Sequence, residues 1–328
     1  MKVFVFEHLC SGGALGDDIS PHLTPMGCAM LQAVIEDFLK LGVEVATVLD
    51  HRVKLNFGNA QARRVTTTSQ ASAAFESLSS QADFTLVIAP ESDGILEGWI
   101  DHLESRGCAH LNCNLYATQL CADKLRLMSW LADAGLPTPV TKQFHEQMIR
   151  RFPVVIKPRR GAGSEWTFVC HDAADVQAIP PWEDWIVQPL VRGTAASCAM
   201  IVRDGQVYPL PMGLQLIEGS RRFHYRGGRL PLDSPAGRKL ARKAAQAVPG
   251  VAGFIGVDMI LGDDPAGSED TIIEINPRIN MSYLGLRAMC QQNLMAAVMG
   301  MIDPASLTWK PGLLRFNTQG EVTWESSN

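Results

Sequence analysis

The stretch GLPTP, residues 135–139, separates two regions of this chain that follow different rhythms. Before it, short apolar runs alternate with helical patterns. KVFVF (2–6) reads as a buried first strand, and VEVATVL, FTLVIAP and AHLN follow as further β-rich runs. Between them lie amphipathic patterns over about residues 26–41, 69–80 and 94–106. Such alternation predicts a mainly parallel, three-layer α/β unit over residues 1–115, since each crossover helix must cover a face of the sheet.

Asn114 is a suitable cap for a helix running to about Ala134, which the glycine and prolines then end. Beyond it strands dominate: PVVIKP, WTFVC, WIVQPL, CAMIV, QVYPLP, VDMIL and TIIEI. Helical patterns interrupt them only at about 235–247 and 283–300. An α+β unit rich in antiparallel hairpins fits residues 116–328 better than a second doubly wound sheet.

A length of 328 residues suffices for two or three compact units. The net charge of -5 gives no basic field to attract nucleic acid or an anionic membrane. No apolar run is long enough to cross a bilayer, and Glu7 interrupts the apolar N-terminus before a signal-peptide core could form. The eight cysteines include no CxxC pair, so they read as reduced, mostly buried thiols of a cytoplasmic protein.

The chemistry concentrates in a few segments. In TIIEINPRIN (271–280), strand alternation would put Glu274 and Asn276 on one face, with Ile273 and Ile275 on the other. A carboxylate and an amide oxygen suit a hard cation such as Mg2+, although a strand end meeting water would look the same. GVDMIL adds Asp258, an acid that is costly among apolar neighbours unless paired or bound to a cation. PVVIKPRRGAGSEWTFV places Lys157, Arg159 and Arg160 before a glycine loop with Gly161, Gly163 and Ser164. A strand, loop, strand flap can close its amides over a polyphosphate, and an ordinary hairpin with a basic edge is the alternative. In IVQPLVRG, the extended segment Gln188, Pro189 and Leu190 could read the edge of a purine, or be a plain core strand.

The ordered series ADK with Lys124, IKP with its glycine loop, QPL, GVD and EINPR resembles the ATP-grasp superfamily over essentially the whole chain. The resemblance implies a preATP-grasp α/β domain (1–115) and an ATP-grasp domain (116–328) of two α+β subdomains, about 116–187 and 188–328, with ATP between them. It also implies that Lys124, Lys157, Arg160, Gly161, Gly163 and Ser164 meet the phosphates and residues 188–190 the adenine. Asp258, Glu274 and Asn276 would hold two Mg2+ ions, for which Mn2+ is a substitute. Two departures stand out: GTAAS (193–197) lacks the acid many members place after the hinge glycine, and Gly256 stands where many ligases have an arginine.

The superfamily reaction joins a small carboxylate to an amine through an acylphosphate and leaves ADP. Arg278 is the first candidate to hold the acceptor carboxylate or the moving phosphoryl group, because a guanidinium binds such oxygens bidentately. Arg221 and Arg222 belong to SRRFHYRGGRLPL (220–232), which reads as a phosphate-covering lid or a solvated loop, with His224 as a candidate base. EHLCSGGAL sets Glu7, Ser11, Gly12 and Gly13 at the carboxyl end of the first strand, where open α/β sheets bind ligands. That segment, HYRGGRLPL and NPRINMSYLGLR together resemble the tyramine:glutamate ligases of methanofuran-type cofactor biosynthesis. The narrower resemblance implies a phosphorylated glutamate carboxylate attacked by an aromatic or amino-acid amine, with Glu7 holding the ammonium and Ser282 and Tyr283 facing the acceptor. A bicarbonate-dependent carboxylase and a nucleotide-binding regulator are the competing expectations. Superfamily members are often homodimers, and no feature of this sequence decides that point.

Overall fold

The structure is a computed structural model and describes residues 1–16, 23–145, 149, 151–181 and 184–325. The first region forms β1 (Lys2–Glu7), α1 (Leu23–Lys40), β2 (Glu44–Asp50), β3 (Gln61–Val65), α2 (Thr68–Ser79), β4 (Phe84–Ile88) and α3 (Ile95–Ser105). Its strands pair in parallel in the order β3-β2-β1-β4. The alternation within KVFVF sets the layers: Val3 and Val5 pack in one core with Leu31, Val34 and Phe38 of α1, and Phe4 and Phe6 in another with Phe75 of α2 and Ile100 of α3. AHLN is not a strand; His110 makes only an isolated bridge with Thr85. The edge strand β3, with the sequence QARRV, was not predicted, because its exposed polar residues carry no alternation.

The helix expected over 114–134 is two helices, α4 (Leu115–Ala122) and α5 (Lys124–Asp133). Asp123 turns extended between them, at φ -95° and ψ 92°, and its carboxylate accepts the Arg126 N–H at 3.1 Å as an N-cap. The same carboxylate takes Arg159 in a fork of 2.8 and 2.6 Å, so the break also fixes where Lys124 begins its helix.

A second sheet follows, built from β5 (Lys142–Gln143), β6 (Val154–Pro158), β7 (Phe168–Cys170), the short α6 (Ala173–Gln177) and β8 (Trp185–Pro189). Its strands are antiparallel in the order β5-β8-β6-β7. The third sheet contains β9 (Thr194–Arg203), β10 (Gln206–Glu218), β11 (His224–Leu232), α7 (Pro235–Gln246) as a connection, β12 (Gly253–Leu261) and β13 (Thr271–Asn276). After α8 (Ser282–Met289) and α9 (Leu294–Met299) it is completed by β14 (Leu314–Asn317) and β15 (Val322–Trp324). The order is β13-β12-β9-β10-β11-β14-β15, antiparallel throughout.

Two expectations are corrected here. The pattern over 283–300 is α8 and α9, separated by an extended Cys290 and restarted by Asn293, which caps Met295 and Ala296. The segment 220–232, read as a lid or a solvated loop, is mostly strand β11. Its glycines serve close packing instead of motion: a Cβ at Gly227 would stand 2.0 Å from the Phe316 carbonyl oxygen.

One core joins α1 and the first sheet to α8, α9 and Leu230 of the third sheet. Asp37 of α1 ties it polarly, accepting Tyr283 Oη at 2.6 Å and both Arg287 Nε and Nη2, at 2.8 and 2.7 Å. Asp37→Ala leaves the buried Tyr283 phenol without its acceptor and the part-exposed Arg287 with Glu36 alone, and should cost about 2 to 3 kcal/mol in urea denaturation, whereas Tyr283→Phe, losing one hydrogen bond, should cost about 1 kcal/mol. Equal, small losses would show that the network carries no such load.

Candidate active site

β12 and β13 run antiparallel with Asp258 opposite Glu274 and Gly256 opposite Asn276. Asn276 Nδ2 donates to Asp258 Oδ2 at 3.0 Å, so the three oxygen-bearing side chains sit as one cluster. The register then slips: Met259 pairs with Ile272, leaving Ile273 as an extra residue on β13. Strict alternation therefore fails at one point. Ile272 and Ile275 fill the core, while Ile273 turns with Glu274 into a cleft.

Two lysines approach that cluster from other elements. Lys124, first residue of α5, places Nζ 3.4 Å from Glu274 Oε2 and donates to the Gly161 carbonyl at 2.7 Å. Lys157 is buried at the end of β6, and burial lowers its pKa to about 8 against the opposing pull of Glu274. Burial pushes Glu274 upward, but Lys124 and Lys157 outweigh it and hold the carboxyl below its usual value. Asp258 goes the other way, raised to about 7 by burial and by the neighbouring Glu274 charge. Its Oδ1 is buried without a hydrogen-bond partner. Two carboxylates and an amide oxygen side by side are a donor set that could hold a hard divalent cation. Among the described residues no three His, Cys, Asp or Glu side chains gather, so any such site depends on the asparagine.

The cluster stands where two cavities meet, with Ala162, Ser164, Gln215, Asp258 and Glu274 lining both. Counting their mouths they enclose about 930 and 860 Å³, in the range of small-molecule sites. The 860 Å³ half holds Lys124, Lys157 and Gly161, with Gln188, Pro189 and Leu190 along one wall. Gln188 is itself pinned to Thr141 Oγ1 at 2.8 Å, and the Leu190 N–H donates to the Pro153 carbonyl. In the glycine loop Gly163, Ser164 and Trp166 all take positive φ, 66°, 58° and 56°. Two are not glycine, a backbone cost that proteins tolerate mainly at functional sites.

The 930 Å³ half is walled by α1, through Leu23, Met26 and Met30, and contains Glu7, Gly163, Arg278 and Ser282. Burial raises Glu7 to about 7, while Oε2 accepts the Cys10 N–H at 2.7 Å. Gly27 is required beneath it, because a Cβ there would lie 2.6 Å from the carboxyl carbon. Arg278 is buried with Glu91, Nη2 to Oε2 at 2.7 Å, and Nε and Glu91 Oε1 have no partner. Ser282 Oγ donates to Asn280 Oδ1 at 2.5 Å.

Several expected site residues lie elsewhere. Arg160 pairs with Glu97 of α3 at 2.9 Å. Arg221 is exposed and faces Asp175 at 3.3 Å. Arg222 stacks over Trp166, 4.7 Å from the ring centre, and residues 221–223 pair with the β7 edge, so this segment joins two sheets instead of capping phosphates. His224 is exposed at the start of β11. Ser11, Gly12 and Gly13 build the turn behind Glu7: the Ser11 hydroxyl accepts the Glu7 N–H, and the glycines pack on Val65 and His8. Tyr283 points to Asp37 in the core. Ser197, Gln215, Asn280 and Glu91 were missed. Glu91 was in principle findable, lying just past the carboxyl end of β4. Asn280 explains the departure at Gly256, where a Cβ would stand 2.1 Å from its Nδ2 and an arginine has no room.

Two buried lysines and a glycine loop face a carboxylate pair between two sheets, an arrangement with the charge and backbone amides that could hold a polyphosphate. The ATP-grasp domain model matches residues 121–282 and the pre ATP-grasp 3 domain model residues 43–117. The chain belongs to the ATP-grasp superfamily. It is 30% identical over 208 residues to a tyramine--L-glutamate ligase of Methanocaldococcus fervens, a match spanning 62% of each chain. A second, from Methanocaldococcus jannaschii, is 25% identical over 87% of this chain and 84% of the relative. A crystal structure of an ATP-grasp superfamily protein from Archaeoglobus fulgidus superposes with a TM-score of 0.73 at 21% identity, over 92% of this chain and 88% of that one.

Glu274→Ala and Asn276→Ala should each abolish the Mg2+ dependence of ATP binding in titration calorimetry while leaving the fold intact by circular dichroism. Unchanged Mg2+-dependent binding in both would remove these residues from any metal site.

Proposed function

We propose that this chain is an ATP-dependent, ADP-forming carboxylate-amine ligase that works through an acylphosphate. The observation that carries this reading is that Asp258 and Glu274 line both halves of the cleft, so a γ-phosphoryl group held in one half abuts an acceptor in the other. Lys124 and Lys157 neutralise the phosphates, the Gly161 to Ser164 loop covers them, and residues 188–190 flank the base. Mg2+ held by Asp258, Glu274 and Asn276 would supply further charge neutralisation to the transferring group. Arg278, kept at the boundary by Glu91, positions the acceptor carboxylate with its remaining guanidinium edge. Little protein acid or base is required, and the site has no buried histidine among its lining residues.

Glutamate as carboxylate and tyramine or a similar aromatic amine as nucleophile is the substrate pair suggested by the relatives' names. The apolar wall of α1, with the Glu7 carboxylate of β1 beside it, suits an amine with an apolar body; bicarbonate alone would leave both without a task. On the same reading residues 1–115, 116–187 and 188–328 are the preATP-grasp domain and the two subdomains.

Phosphate and ADP release should require two substrates together, tested across pooled amino acids and amines with glutamate plus tyramine as one pair. Release with bicarbonate alone, or none despite tight ATP binding, would replace the ligase by the carboxylase or the regulator. The pH dependence adds a second check. Glu7 is raised from 4.5 to about 7, so below that pH it is protonated and an incoming ammonium must displace the proton. The KM for the amine should rise about tenfold per unit below pH ~7, with kcat little changed. In Glu7→Gln the KM should be high and flat; a wild-type profile in that variant would clear Glu7 of the role.

A further inference from the structure

Behind the acceptor half of the cleft, Cys10 and Cys28 bring their sulfurs to 3.0 Å, well inside ordinary sulfur contact. All eight cysteines are free thiols, and among the described residues no other thiol pair is recorded in hydrogen-bond contact. The pair links the turn after β1 to the second turn of α1. Each partner touches the setting of Glu7: the Cys10 N–H binds its carboxylate, and Gly27, which the carboxyl group overlies, immediately precedes Cys28.

We infer that Cys10 and Cys28 are a reversible disulfide site whose closure reshapes the acceptor cavity around Glu7. Cys28 is the partly exposed member and Cys10 the fully buried one, so an oxidant reaches Cys28 first. The hydrogen bond from the Cys10 thiol favours the Cys28 thiolate, which suits it as the attacking sulfur. With a small disulfide such as oxidised glutathione, the Cys28 thiolate attacks one sulfur and expels one glutathione thiolate. Cys10 then gives up its proton, attacks the Cys28 sulfur of the mixed disulfide and expels the second glutathione, so two protein thiols are oxidised and one disulfide is reduced to two thiols. Closing the bond to about 2.05 Å draws the Cys10 turn and α1 together by roughly 1 Å. Both the N–H on Glu7 and the backbone beneath its carboxyl group lie on the segments that move.

The full chain is equilibrated with oxidised glutathione, excess thiols are blocked, and the protein is mapped by mass spectrometry. The expected result is a loss of two hydrogen masses located in a Cys10 to Cys28 cross-linked peptide, reversed by dithiothreitol, with a shifted melting temperature. Cys28→Ser, or Cys28→Ala should the serine variant not fold, should melt like the reduced wild type and show no shift on oxidation. Stable glutathionylation at Cys28 without the cross-link, or no reaction at either thiol, overturns the inference. The effect on the cavity rests on the ligase proposal and is read separately: oxidised protein should bind ATP as reduced protein does but lose amine-dependent phosphate release. Retention of that release in fully cross-linked protein overturns the coupling while leaving the cross-link; its absence in reduced protein as well would instead count against the ligase.

Discussion

Charge buried at the junction of three sheets is the constraint on which the remaining structure depends. Glu91 comes from the loop after β4, Lys157 from the end of β6, Asp258 and Glu274 from β12 and β13, and Lys124 from the helix between the first two sheets. None of these groups could be buried alone, since an unpaired buried ion costs several kcal/mol. Opposite charges from other elements offset part of that cost: Glu91 meets Arg278 at 2.7 Å, and Lys124 meets Glu274 at 3.4 Å. The sheets therefore converge at one point, and the cleft forms where they do. The pairing is also incomplete. Asp258 Oδ1, Glu91 Oε1 and Arg278 Nε are buried without a protein hydrogen-bond partner, so the polar groups of the junction are not all satisfied by one another.

Much of this was legible in the sequence because it is local. Strand alternation in KVFVF, the cap at Asn114 and the strand runs from 154 onward are properties of short windows, whereas the grouping of Lys124, Lys157, Asp258, Glu274 and Asn276, which line one cleft, came from the resemblance of their ordered motifs. The breaks inside predicted helices were less legible, since Asp123 and Asn293 act as caps only if the backbone turns extended there. The bulge at Ile273 leaves no compositional trace at all, yet it decides that two consecutive side chains face the cleft.

The arginines show why charge type does not reveal role. Arg159, Arg160, Arg221, Arg222 and Arg278 all stood near motifs; Arg278 was the first candidate for the acceptor, but Arg160, Arg221 and Arg222 were site candidates beside it. Only Arg278 lines the cleft; Arg159 and Arg160 hold α5 and α3, Arg221 faces α6, and Arg222 lies on Trp166. What distinguishes them is where the partner lies: Glu91 holds Arg278 in the cleft wall, whereas Asp123, Glu97 and Asp175 hold Arg159, Arg160 and Arg221 away from it. Glycines mislead in the same way: HYRGGRLPL resembles a mobile loop, but its glycines admit the β14 backbone.

The two halves of the cleft also differ in origin. The half with the lysines and residues 188–190 is walled almost wholly by elements after residue 123, whereas the other half borrows Glu7 from β1 and its apolar wall from α1. Those borrowed elements are held to the β13 side by Asp37, whose carboxylate binds Tyr283 and Arg287 of α8, seven and eleven residues beyond Asn276. A change in β1 or α1 can therefore alter what enters the second half without disturbing the charged junction. The shape of the α1-walled cavity and the charges at the junction are thus separable in sequence but registered in space, through the shared apolar core and the buried Asp37 carboxylate on α1.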